Sequence, residues 1–298
     1  MDIRVIQTLT TFEIEDHLRA ALGRPYYSIP GVWLYKGDCL EGMRRLPPSM
    51  VGLTVTSPPY NIGKEYEEPL ALDHYIDWCA EWSREVARLT TQNGAFWLNL
   101  GYVRKEGRAR ALPLPYLLWN RVPMFLIQEI VWNYGAGVAA RKSFSPRNEK
   151  FLWFVKDEEN FDFNLDSVRD PNVKYPNQKK NGKLKCNPMG KNPTDVWQFP
   201  KVTSGADRSS PERTDHPAQF PVAIIERIIK ACSNTGDIVL DPFMGSGTTA
   251  LVAMQLGRPV IGFEMLDRYL EIAKDRIEAL LEENRIAEAQ GALFEQCD

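Results

Sequence analysis

The feature that most constrains the fold of this chain is an alternation. Short apolar runs at residues 32–35, 51–56, 94–100, 237–240 and 260–263 are separated by stretches with helical spacing. Strands that alternate with helices predict an α/β fold with a doubly wound, mostly parallel sheet, of the Rossmann-like kind. Ligands bind such sheets beyond the carboxyl ends of their strands. Asp38, Ser57, Asn99, Asp241 and Glu264 all fall at or just past such an end. Five polar residues at five strand ends place a site there before any motif is considered.

The helical stretches are readable one by one. Residues 12–22 form a short amphipathic segment closed by Gly23, with Pro25 beyond it, and residues 40–46 a brief helix. Over 72–90, Tyr75, Ile76, Cys79, Trp82, Val86 and Leu89 recur at helical spacing. Residues 222–231, 248–256 and a long charged stretch from Leu266 onward complete the set. Two more strands are expected at 128–134 and 150–155, with the polar, glycine-containing loop 135–148 between them. Residues 157–212 are rich in Asn, Lys, Pro and Asp and weak in periodicity, and read as an insert with little core of its own.

Composition narrows the class. A chain of 298 residues, 44% of them hydrophobic, suffices for one large domain carrying an insertion. The N-terminus has acidic residues and no apolar core, unlike a signal peptide, and no apolar run reaches the ~18 residues of a membrane span. The five cysteines are scattered and lack CxxC spacing, which suits reduced thiols in a cytoplasmic protein and gives no metal site. The net charge of -3 hides an asymmetry. Between residues 171 and 205 stand Lys174, Lys179, Lys180, Lys183, Lys185, Lys191 and Lys201 against Asp195 alone, the pattern of a segment that meets a polyanion or of a solvated lysine-rich loop.

Two motifs carry chemistry. The run Val55-Thr56-Ser57-Pro58-Pro59-Tyr60-Asn61 leaves a strand through a hydroxyl, two prolines and an aromatic. The prolines donate no hydrogen bond and hold their predecessors extended, so the exit is stiff. The second motif, from Asp237 to Thr249, reads as strand, tight turn and helix. Gly245 and Gly247 permit positive φ and close approach of a ligand, and the helix start offers free N–H groups to an anion. Asp241 disfavours a phosphate and suits an ammonium. Glu264, ending the next strand, stands where an acid can accept from ribose hydroxyls.

These residues resemble the S-adenosylmethionine-dependent amino-methylating DNA methyltransferases. DPFMGSGTT, the acid of GFE, and TSPPY are shared with that family. TSPPY comes first and the glycine loop last, the circularly permuted order of its β class. The segments Asn192–Trp197 and His216–Pro221 also resemble that group. The resemblance implies a catalytic half over 1–156, a target-recognition insert over 157–212, and a cofactor-binding half with a C-terminal helix over 213–298. It implies that Asp241, Pro242, Phe243, Gly245, Ser246, Gly247 and Thr248 surround the methionine part of S-adenosyl-L-methionine. Glu264 would bind the ribose, Asp38 would lie near the adenine, and His216, Pro217 and Phe220 would close the pocket. Ser57, Pro58, Pro59 and Tyr60 would form the catalytic tetrad.

The tetrad suits an exocyclic amine, whose lone pair is delocalised into the base ring. Acceptors that hold both N–H groups, the Ser57 hydroxyl and the Pro58 carbonyl, favour the tetrahedral nitrogen that can take a methyl group. Tyr60 offers a stacking face to a base turned out of the duplex. No cysteine follows a proline, which argues against ring-carbon methylation. In the family, serine in the first tetrad position goes mainly with N4 of cytosine and aspartate with N6 of adenine; Ser57 favours cytosine, with adenine as the alternative. Arg141, Lys142, Arg147, Lys179, Lys180 and Lys183 are the expected contacts to double-stranded DNA, with Asn177, Gln178, Asn181, Arg208 and Arg213 as further candidate readers. A restriction endonuclease acting on the same site and a homodimer are the partners the resemblance suggests. RNA or protein methylation, and DNA binding without catalysis, are the rival readings.

Overall fold

The computed structural model describes residues 10–295 except 136, 138 and 203–209; Arg208 lies outside the described residues. Helix α1 (Thr11–Leu22) opens with a reciprocal cap: the Thr10 hydroxyl accepts from Glu13 N–H, and the Glu13 carboxylate accepts from Thr10 N–H. It is followed by β1 (Tyr27–Ile29), β2 (Val32–Lys36), α2 (Cys39–Arg45), β3 (Val51–Thr56), α3 (Leu72–Leu89) and β4 (Thr90–Leu100). Then come the hairpin β5 (Tyr102–Lys105) and β6 (Ala109–Pro113), α4 (Pro115–Leu118), β7 (Phe125–Asn133) and β8 (Asn148–Val155). After a single 3-10 turn, a small hairpin β9 (Lys179–Lys180) and β10 (Lys183–Leu184) precedes β11 (Val196–Gln198). The chain ends with α5 (Val222–Cys232), β12 (Val239–Asp241), α6 (Thr248–Gln255), β13 (Val260–Glu264) and α7 (Asp267–Glu295).

The main sheet runs β1-β2-β13-β12-β3-β4-β8-β7-β11. Its centre, β2-β13-β12-β3-β4, is parallel throughout, while β8 runs antiparallel to both β4 and β7. Period-two alternation divides the core. Phe96, Leu98, Leu240 and Ile261 face Ile14, Leu18, Met43 and Trp82 of α1, α2 and α3. Ala95, Trp97, Val239 and Val260 face Ile224, Ile228, Ala250 and Ala253 of α5 and α6, with Leu270 and Ile277 of α7. The sheet is therefore covered on both faces, as parallel sheets require.

Several elements differ from the sequence reading. The strand expected at 237–240 starts at Val239, because the Asp237 carboxylate accepts from Asn234 N–H (2.7 Å) and closes the preceding turn. The short strand β1 has only three residues, and the hairpin β5–β6 alternates arginine with small alanine, so neither announces itself in the sequence. The segment 157–212 is not wholly outside the sheet: β11 pairs in parallel with β7, and Trp197 is buried. Its indole stacks on Trp97 (5.6 Å between centroids), which stacks in turn on Trp153 (5.2 Å). The Arg227 guanidinium lies 5.1 Å from the Trp197 ring. In α7, Leu270, Ala273 and Ile277 are buried, whereas Leu281 and Ile286 are exposed. No helix among the described residues is long and apolar enough to cross a membrane.

Candidate active site

Strand direction gathers the predicted site. β2, β3, β4, β12 and β13 are parallel, so Asp38, Ser57, Asn99, Asp241 and Glu264 arrive at one edge. All five line a single cavity of about 490 Å³. The same cavity is lined by Pro58, Pro59, Tyr60, His216, Pro217, Phe220, Pro242, Phe243, Gly245, Ser246 and Thr248. Gly247 stands behind it, as the N-cap of α6 with φ 77°. A Cβ there would sit 2.6 Å from the Ala273 Cβ, so helix α7 leaves room for hydrogen only. Gly245 (φ 52°) lies similarly against His216, whose Nε2 would be 2.9 Å from an added Cβ.

The two carboxylates of the glycine-loop half, Asp241 buried and Glu264 half-buried, are both hydrogen-bonded. Asp241 accepts from the hydroxyls of Thr56 (2.6 Å) and Thr249 (2.7 Å) and from Phe243 N–H (3.1 Å). Burial nevertheless pushes its pKa up to about 6, the hydrogen bonds offsetting only part of the cost. Glu264 accepts from the N–H groups of Gly245 and Leu266, each at 2.9 Å, and burial raises its pKa as well. Arg276 of α7 donates to Ser246 O (2.7 Å) and Thr248 Oγ1 (2.9 Å), fixing the loop from behind. Asp38 uses its own carboxylate to cap α2, accepting from Glu41 N–H at 3.0 Å.

An aromatic wall covers the cavity. His216 packs edge-on against Tyr269 (4.3 Å) and parallel to Tyr66 (6.1 Å). Burial lowers the His216 pKa to about 4, so its ring is neutral at neutral pH. Its Nδ1 faces Ala218 N–H at 3.2 Å, which places the ring proton of the neutral form on Nε2. The loop that carries Tyr66 is tied down by Glu67, which accepts from Asn61 and Ile62 N–H, and by Glu65, which accepts from the Tyr269 hydroxyl at 2.6 Å.

On the other side stands the tetrad. The Pro59 carbonyl accepts from the Tyr75 hydroxyl at 2.7 Å, which locks the strand exit onto α3. No donor reaches the Pro58 carbonyl among the described residues. Tyr60 is half-buried, not the exposed ring its loop position suggests. Its hydroxyl accepts from Ser57 Oγ (3.0 Å) and donates to Asn99 Oδ1 (2.5 Å), with Glu149 Oε2 at 3.2 Å. Burial, and then the Glu149 carboxylate, push its phenol well above the usual range, so it stays neutral. Because Ser57 spends its proton on Tyr60, the Ser57 lone pairs remain for an incoming N–H donor.

Glu149 and Lys201 also line the cavity, and the sequence reading gave neither a role in it. Glu149 is the second residue of β8, two positions before the apolar run Phe151–Val155, and an acid so close to such a run is the one signal available. The expected DNA contacts lie apart. Arg141 and Lys142 are exposed on the loop between β7 and β8, beside the fully exposed Phe144. Arg147 donates to the carbonyls of Pro146 and Gly137. Lys179, Lys180 and Lys183 are exposed on the β9–β10 hairpin.

Comparison with known proteins agrees with this geometry. Type II methyltransferase M.ScaI of Streptomyces caespitosus is 64% identical over 262 residues, covering 88% of this chain and 86% of its own. DNA adenine methyltransferase YhdJ of Escherichia coli K12 is 35% identical, covering 81% of each chain. Among solved structures, the PvuII cytosine-N4-specific DNA methyltransferase superposes with a TM-score of 0.67 at 22% identity, covering 85% of this chain and 88% of that one, a likeness of fold. A DNA modification methylase of Thermus thermophilus, TTHA0409, complexed with S-adenosyl-L-methionine, superposes with a TM-score of 0.56 at 25% identity, covering 82% and 93%. The family model described as DNA methylase, for N6 and N4 amino-methyltransferases, matches residues 51–275, and the chain belongs to that family.

Proposed function

We propose that the chain methylates the exocyclic N4 of cytosine in double-stranded DNA, on a base turned out of the helix, with S-adenosyl-L-methionine as donor. The observation that carries this reading is the chain of hydrogen bonds from Ser57 through Tyr60 to Asn99, with Glu149 beside it. It turns the Ser57 lone pairs toward an amine while the open Pro58 carbonyl supplies a second acceptor. Two acceptors fixed by stiff backbone draw off the N–H groups as the nitrogen becomes tetrahedral. The Tyr60 ring, held through its hydroxyl, is the stacking face.

The other half of the cavity fits the donor. Its carboxylates, Asp241 and Glu264, end neighbouring strands, with the positive-φ glycines and the α6 N-terminus between them. Asp241 would hold the ammonium, Glu264 the ribose hydroxyls, and the α6 N–H groups the carboxylate. When bound, S-adenosyl-L-methionine would supply a methyl group on a sulfonium, its carbon–sulfur bond breaking to leave a neutral thioether as the bond to nitrogen forms and one amine proton is released to solvent. Phe243 would lie along the methionine part and Asp38 near the adenine, while His216, Pro217 and Phe220 would close the pocket, His216 being neutral and packed on Gly245 so that it adds no charge near the sulfonium.

Arg141, Lys142, Arg147, Lys179, Lys180 and Lys183 would meet the DNA. A restriction endonuclease of the same site, a homodimer and a cytoplasmic setting belong to the same reading; the relatives carrying the Type II name support the first. N6-methylation of adenine is the second reading, favoured by the likeness to YhdJ, with Ser57 against it. Nucleoside mass spectrometry of DNA methylated with labelled donor separates the two. N4-methylcytosine is expected; N6-methyladenine alone would overturn the choice of base, and no incorporation with donor bound would overturn the enzyme reading.

A further inference from the structure

The cavity contains an ion pair that methyl transfer does not by itself require. Lys201 Nζ lies 2.5 Å from Glu149 Oε1, and both side chains are largely buried, at 24% and 14% exposure. The ammonium also sits 4.0 Å from the centre of the Tyr134 ring and 5.6 Å from that of Trp132. A buried pair of this kind rarely adds net stability over an apolar pair. Its location is informative: the second Glu149 oxygen is 3.2 Å from the Tyr60 hydroxyl, so Lys201 stands one carboxylate away from the tetrad. Burial works against the charge of Lys201, but Glu149 and Tyr134 outweigh it and keep the ammonium protonated. An ammonium has three donors, and Glu149 takes one of them.

Resting on the methylation reading above, we propose that Lys201 reads the Watson–Crick edge of the extruded base, donating to the ring nitrogen beside the amine. In cytosine this is N3, with O2 as a second acceptor on the same edge. Adenine offers N1 alone. Guanine and thymine present an N–H at the corresponding ring position, and a donor there meets a donor. Glu149 holds the lysine head and the Tyr60 hydroxyl in one frame, so the reader and the tetrad are set relative to each other. The lysine thus checks that the amine held by Ser57 and Pro58 belongs to an acceptor-bearing base.

The test begins with wild-type enzyme on plasmid DNA, from which the methylated position is mapped. Duplexes then carry that base with its ring nitrogen replaced by C–H: 3-deazacytosine, or 1-deazaadenine should adenine be the base found. Wild-type kcat/KM should fall about 10- to 100-fold on the deaza duplex, the value of a charged hydrogen bond. Lys201→Met should lose a similar factor on natural DNA and no longer distinguish the two duplexes, with S-adenosylmethionine affinity unchanged. Should Glu149 left alone unfold the variant, Lys201→Met with Glu149→Gln removes both charges and should show the same indifference. Equal wild-type rates on both duplexes, or losses that multiply, would overturn the role of Lys201 while leaving methylation standing. A wild-type enzyme that transfers nothing to DNA would overturn both.

Discussion

At the scale of single residues, Tyr60 combines a ring with a hydroxyl that has separate partners, and Tyr60→Phe keeps the first while deleting the second. The Ser57 proton then loses its acceptor, and the hydroxyl is free to rotate away from the amine. Turnover should fall about 10- to 100-fold with donor affinity unchanged, as single-turnover kinetics and calorimetry would report; a parallel loss of donor binding would contradict the role. Asp241 and His216 pull stability in opposite directions with pH. The folded pKa of Asp241, about 6, lies above its ordinary 3.8, so the folded state keeps a proton that the unfolded chain has released. Its contribution is full below about pH 4 and lost as pH rises through 6, a cost on the order of 3 kcal/mol at neutral pH. His216, lowered from 6.5 to about 4, contributes fully above 6.5 and loses that contribution as pH falls toward 4. Asp241→Asn should therefore raise the melting temperature relative to wild type more at about pH 7.5 than at about pH 4.5, while weakening donor binding. A shift equal at both pH values in thermal melts would refute this account of Asp241.

At the scale of elements, the edge strand β11 depends on one side chain. Trp197→Ala removes the indole that stacks on Trp97 and lies under Arg227, and should cost about 3–5 kcal/mol in denaturant unfolding. A loss below about 1 kcal/mol would mean that β11 holds to β7 by its backbone alone. This strand also marks the limit of what the sequence discloses. The five parallel strands are legible because each is an apolar run, and their terminal residues follow from strand direction alone. The glycine loop is legible because positive φ selects glycine. By contrast, Val196–Gln198 is three residues in polar surroundings, and only pairing with β7 and the Trp97 stack make it a strand. In the β5–β6 hairpin, Tyr102 to Pro113, β6 alternates arginine with alanine, whose small side chain gives too weak an apolar signal to announce a strand. Glu149 and Lys201 are 52 positions apart, and nothing local announces that they meet. Site residues set by strand ends can be read in advance, whereas those set by tertiary pairing cannot.

At the scale of the whole molecule, an acidic chain presents a local basic surface on the β9–β10 hairpin. The three lysines there have no ion-pair partner among the described residues and are placed to neutralise phosphates. Replacing Lys179, Lys180 and Lys183 by alanine should reduce the slope of log affinity against log salt by up to about 2.7, because each phosphate contact contributes about 0.9. Donor affinity should not change, and a DNA-binding slope equal to wild type would exclude the hairpin from the interface. The hydrogen bond between Thr56 and Asp241 has a consequence of another kind, for it joins residues 185 positions apart, and β12 lies between β3 and β13. During synthesis the tetrad leaves the ribosome early, on a strand that can pair with β4 on one side while its other neighbour, β12, does not yet exist. Until the last third of the chain emerges, the nascent protein has an open strand edge and no pocket for a methyl donor. Its catalytic motif is made first and becomes competent last.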